Sequence, residues 1–220
     1  MITDSSATAG RFLNLAGLIG GYFIGQGSMI FSLAYLVLND RHRDATVLGA
    51  AVALLSLAQQ IIDFGGISHL ARSARHGQLR GTSGTIVRDY IDLSIVRIFV
   101  ALIVLSAGAV YFIFHHDEVI SRFILIGFAG LFLWSFNTIG ILDGLAFSWL
   151  SGLLNAPPWT LISALIVWNT HQAATLNYSA AATLFVVGLA LSILLQLILF
   201  RPLYRNWCSD FDLHRVIGTA

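Results

Sequence analysis

The stretch Ile95-Val96-Arg97-Ile98-Phe99-Val100-Ala101-Leu102-Ile103-Val104-Leu105-Ser106-Ala107-Gly108-Ala109-Val110-Tyr111-Phe112-Ile113-Phe114 carries one charged side chain, Arg97, in an otherwise apolar run. A hydrocarbon core ~30 Å thick is crossed by ~20 residues at ~1.5 Å rise. The run therefore reads as a membrane-crossing helix with one costly cation inside it. Comparable blocks recur along the whole chain. Helices are predicted over 12–38, 46–70, 89–114, 119–146, 156–174 and 178–201. The fold class expected is an all-α, polytopic membrane helical bundle of about six transmembrane helices, with residues 1–220 as a single lobe.

Composition agrees. Only 10% of the residues are charged, against ~25% in soluble domains, and mean hydropathy is +0.80. The net charge of +1 says nothing about a partner, and no nucleic-acid partner is expected. Cys208 is the single cysteine, which excludes an intrachain disulfide and a cysteine metal site. The apolar block after Arg11 is too long for a signal-peptide core, so it reads as a retained first span.

The region 119–170 is the hardest to divide. A single helix from 119 to Asn155 would be ~55 Å long, too long for one crossing. Asn155-Ala156-Pro157-Pro158 is the expected break, because proline disrupts a helix interior; Asp143-Gly144 is a second candidate, and a re-entrant hairpin is the rival arrangement. Arginine placement sets the orientation. With the N-terminus inside, eight arginines (11, 72, 75, 80, 88, 201, 205, 215) are cytoplasmic and three (41, 43, 122) lie opposite. Both termini and the hydrophilic segment Arg72 to Arg88 are thus expected in the cytoplasm.

Ionisable groups within a span cost ~2.5–3.5 kcal/mol each on insertion scales, so each needs a reason. Asp63, with Gln59 one turn before it, lies near the end of the second predicted span. Arg97 lies at a matching depth in the third, so an antiparallel pair would bring them together. Two readings stand open: a structural ion pair, or a substrate-facing or coupling role. Trp134, Asn137, Gly140, Asp143 and Gly144 recur at three- and four-residue steps, either as a cavity-lining stripe or as an interfacial helix end. Gly21/Gly25 and Gly140/Gly144 are spaced for close helix approach. Candidate substrate-path residues are Gln59, Asp63, Arg97, Trp134, Asn137 and Asp143.

Several chemistries lack their residues. Gly81-Thr82-Ser83-Gly84 resembles an intramembrane serine-protease motif, but it falls in a hydrophilic stretch with no histidine inside a facing span. His115-His116-Asp117-Glu118 reads as a surface link. No Walker A, GxGxxG or HExxH sequence occurs, so no enzyme, cofactor or metal is expected.

Ala53-Leu54-Leu55-Ser56-Leu57-Ala58-Gln59-Gln60-Ile61-Ile62-Asp63-Phe64-Gly65-Gly66, continuing to His69-Leu70-Ala71-Arg72, resembles the second helix of polysaccharide flippases of the O-antigen transporter type. The polar start Arg88-Asp89-Tyr90-Ile91-Asp92 of the next helix is similar to that family's third, and Asn137 through Leu142-Asp143-Gly144-Leu145 is more loosely similar to its fourth. The resemblance covers about 15–150. It implies a carrier that flips lipid-linked oligosaccharide across the bacterial inner membrane. Such carriers have two six-helix lobes, and this chain corresponds to the N-terminal one. A second lobe, from a second copy or a companion chain, is the expected partner besides the bilayer and a lipid-linked sugar. A non-transporting subunit of a polysaccharide synthesis complex and an inactive half-transporter are the alternatives.

Overall fold

The computed structural model describes residues 4–80, 83–114 and 118–210, and among them every regular element is helical. The elements are α1 (Asp4–Tyr22), a π-helical turn (Phe23–Gly27), α2 (Ser28–Leu38), α3 (His42–Asp63), α4 (Gly66–Arg80) and α5 (Ser83–Phe114). There follow α6 (Glu118–Trp134), α7 (Ile139–Gly144), α8 (Ser148–Asn155), α9 (Pro157–His171) and α10 (Tyr178–Asp210). Among the described residues, five stretches are long and apolar enough to cross a membrane, against about six expected: Asn14–Leu38, His42–Asp63, Gly84–Phe114, Ser148–His171 and Tyr178–Phe200. The expected fourth span supplies only the shorter apolar helix Ile120–Trp134. Their outward faces carry exposed Phe31, Phe99, Ile103 and Ile198, as suits a bundle in lipid. The chain is an all-α helical bundle.

Packing explains the glycine pattern. A Cβ on Gly21 would strike the backbone of Gly152, and Cβ atoms on Gly140 and Gly144 would strike the Ile67 and Ala71 carbonyls. Without side chains at these places, α1 lies directly on α8, and α7 on α4. Both predicted glycine faces are used within this bundle.

The ends of the bundle are distinct. At one end, Arg41 pairs with Asp44 and donates to the Ala174 carbonyl at 3.0 Å, and the Tyr178 hydroxyl donates to Asp44. At the other, Leu70, Tyr90, Ile141, Leu154 and Phe200 form a cluster joining α4, α5, α7, α8 and α10. Gly17 meets Trp149 near this second end, so the first and last long helices reach the same end.

Three expectations are corrected. The second helix, predicted over 46–70, ends at Asp63. Phe64 and Gly65 both take left-handed backbone conformations, at φ 44 and φ 77, which stop a helix. The chain then re-enters a helix, α4, at Gly66, so Arg72 to Arg80 of the expected hydrophilic segment is helical and Ser83 to Arg88 belongs to α5. Gly81 and Thr82 and the His115–Asp117 part of the expected link lie outside the described residues.

The predicted helix 119–146 is not continuous. α6 stops at Trp134, and a tight turn through Ser135, Phe136 and Asn137 separates it from α7. A second turn at Leu145–Phe147, with Ala146 at φ 64, precedes α8. Conversely, Asn155-Ala156-Pro157-Pro158 does not break the path. Ala156 keeps right-handed helical backbone between α8 and α9, and the two prolines occupy the first turn of α9, where no N–H is required. Pro158 has no N–H for the Leu154 carbonyl four residues back; the Ser192 hydroxyl of α10 donates to it instead.

Candidate functional site: a polar junction around a broken helix

An interruption in an apolar bundle frees backbone donors and acceptors that lipid cannot satisfy, at roughly 1–3 kcal/mol for each group left unpaired. Here, side chains from two helices, α5 and α10, and from the turn itself meet them. Tyr90 of α5 donates to the Phe136 carbonyl at 3.0 Å, and Arg97 Nη1 donates to the Asn137 carbonyl at 2.8 Å. Gln196 Oε1 of α10 accepts from the Thr138 N–H at 2.8 Å and the Thr138 hydroxyl at 3.1 Å. Asn137 Oδ1 accepts from the Ile139 N–H at 2.9 Å in a local side-chain-to-backbone turn that leads into α7. A cation at the C-terminal end of α6 also matches the sign of the helix dipole there.

Arg97 reaches further. Its Nη2 donates to Asp63 Oδ1, and the pair is almost dry: the side chains are 1% and 14% exposed. The other carboxylate oxygen of Asp63 accepts from the Ile67 N–H at 3.2 Å, at the start of α4. Gly66 leaves room for the guanidinium, because a Cβ there would lie 2.6 Å from Arg97 Nη2. One buried ion pair thus fixes the end of α3, the start of α4, the middle of α5 and the break after α6. From Thr138 the polar chain continues through Gln196 Nε2 to the Ser192 hydroxyl at 3.1 Å, and on to the Leu154 carbonyl.

The structure brings Asp63, Arg97 and Asn137 together. Trp134 is buried at the last turn of α6, and its indole N–H is among several buried polar atoms at this level without a hydrogen-bond partner among the described residues, with Ser94 Oγ, Arg97 Nε, Ser135 Oγ and Asn137 Nδ2. Gln59 is half-buried on α3. Asp143 is elsewhere. The break removes the single helical face that was to hold Trp134, Asn137 and Asp143 together. Asp143 accepts from the Ser151 hydroxyl at 2.6 Å and lines a cleft with Arg72 and Arg75 at the end of the bundle.

Sequence reasoning missed Gln196, Tyr90 and Gln26. Gln196 lies inside the most apolar of the five long stretches, and an amide there was itself a signal. Gln26 is the middle residue of Asn14–Leu38, sits in the π-helical turn between Gly25 and Gly27, and is exposed. Such turns insert one residue into a helix and shift the faces that follow. Gly21, Tyr22, Gln26 and Asn155 line one narrow gap between α1 and α8. Among the described residues, no three His, Cys, Asp or Glu side chains gather as a metal site would need. No family model, no curated protein and no solved structure matches this chain.

Proposed function

We propose that this chain is a transporter lobe of the flippase type, moving lipid-linked oligosaccharide across the bacterial inner membrane in polysaccharide biosynthesis and acting beside a second lobe. The observation that carries this reading is Gln26. An amide exposed at the middle of a span is costly against hydrocarbon, and it is accommodated if that face lines a water-filled cavity or meets another lobe. Tyr22, 39% exposed one turn earlier, extends the polar surface. The broken helix α6–α7 adds support, since discontinuous helices are the usual framework of carrier sites and carriers rock two lobes around a midplane site. The resemblance over residues 53–72 is what suggests the substrate class, and the arginine asymmetry supports an orientation with both termini in the cytoplasm.

One observation favours the alternative of a non-transporting subunit or an inactive half. Arg97, the cation at membrane depth best suited to a pyrophosphate, is engaged by Asp63 and Asn137 and is not open to a ligand. Reconstitution separates the readings. Proteoliposomes containing this chain, as a dimer or with a companion chain, should move a fluorescent lipid-linked oligosaccharide between leaflets faster than protein-free vesicles. Equal rates would support the non-transporting reading. Faster movement by strictly monomeric particles would contradict the two-lobe requirement.

A further inference from the structure

α4 follows directly on α3 at the end of an apolar span, so it lies at headgroup level. Its sequence, GISHLARSARHGQLR, contains no acidic residue. Leu70 and Ala74 are buried against the bundle, whereas Arg72 and Arg75 are exposed. Neither arginine has an ion-pair partner among the described residues, although Asp89 and Asp92 follow on the next helix; Asp89 accepts from Ser73 and Asp92 pairs with Arg88. Phe64 and Leu79, 84% and 79% exposed, flank the arginines with apolar surface. Basic groups between exposed apolar side chains are the pattern of a helix lying in the interface of an anionic leaflet.

The helix also forms one wall of a cleft. Arg72, Arg75 and Leu79 face Asp143, Gly144 and Ala146 across an open space of ≈ 830 Å³. Two guanidiniums one helical turn apart suit phosphate oxygens. The apolar lining favours an amphiphile over a free ion. The Asp143 carboxylate, held by Ser151, disfavours a ligand with several negative charges. We propose that this cleft binds the phosphodiester headgroup of an anionic bilayer phospholipid, with Arg72 and Arg75 on the phosphate and Leu79 against the start of an acyl chain.

The full chain in neutral detergent provides the test, with short-chain phosphatidylglycerol, phosphatidylcholine of the same chain length and inorganic phosphate as probes. Thermal midpoints and native mass spectrometry give the binding. Phosphatidylglycerol should bind saturably and raise the midpoint. Its apparent affinity should fall about fivefold in Arg72→Gln or Arg75→Gln and about thirtyfold in the double variant. Both positions are exposed, so the variants should unfold like the parent without lipid. Arg43→Gln, in an exposed residue at the opposite end of the bundle, should bind like the parent. Equal binding of phosphatidylcholine, equal stabilisation by inorganic phosphate, or an unaffected double variant would each overturn the assignment.

Discussion

Arg97 and Asp63 meet in a nearly dry ion pair where α3 ends and α4 begins, and the same guanidinium holds the Asn137 carbonyl at the break between α6 and α7. This placement gives the buried charge a structural reason. A backbone interruption inside an apolar bundle needs strong donors, and a carboxylate compensates the donor that supplies them.

Removal of one partner should therefore cost more than removal of both. Arg97→Met or Asp63→Leu alone leaves a buried charge uncompensated, at roughly 3–5 kcal/mol. The double variant should be more stable than at least one of the single variants, because no charge remains. Thermal unfolding of the four proteins in one detergent checks this. Additive losses would show that the pair is not coupled.

Gln196→Leu should destabilise by about 1–3 kcal/mol, because the Thr138 N–H and hydroxyl lose their acceptor in a buried setting. Gln196→Glu retains an acceptor at the same reach. Unfolding midpoints should rank the parent above Gln196→Leu, and an unchanged midpoint for the leucine variant would remove Gln196 from the junction.

The glycine seams differ from glycines in open space. Gly21→Ala should cost about 1–3 kcal/mol by forcing α1 away from Gly152. Gly20→Ala, with nothing within 4 Å of the added carbon, should be neutral or stabilise by about 0.5–1 kcal/mol through helix propensity. Equal effects at the two neighbours would contradict this seam.

The ends of the bundle should react from opposite sides. Cysteines at Leu79 and Thr175, both exposed and at opposite ends, should label with an impermeant maleimide from the cytoplasm and the periplasm respectively. Labelling of Leu79→Cys from the periplasm would invert the proposed orientation.

The five long stretches were legible as apolar runs, although 119–146 is not the further span expected, and the Asp63–Arg97 pair was legible because two costly charges at matching depth need one another. The break at Ser135–Thr138 was not. Its four residues, Ser135-Phe136-Asn137-Thr138, include no proline or glycine, and its partners Tyr90, Arg97 and Gln196 are distant in sequence. The prolines at 157 and 158 misled for the converse reason, since the donor that rescues Leu154 is Ser192 on another helix. The helix α4 was hidden by its polarity, because a polar helix reads like a loop when apolar length is the only criterion. Gln26 could have been singled out as an amide between two glycines at the centre of the first span.

The solvent accessibility of Gln26 tests the account most directly. In native membranes, Gln26→Cys should react with a small water-soluble maleimide, or be protected only while the second lobe is bound. Ile103→Cys, exposed on α5 within another span, should stay unreactive throughout as a lipid-facing control. If Gln26→Cys is as inert as Ile103→Cys in the dissociated chain as well, the face is lipid-exposed, and the transporter-lobe account is contradicted.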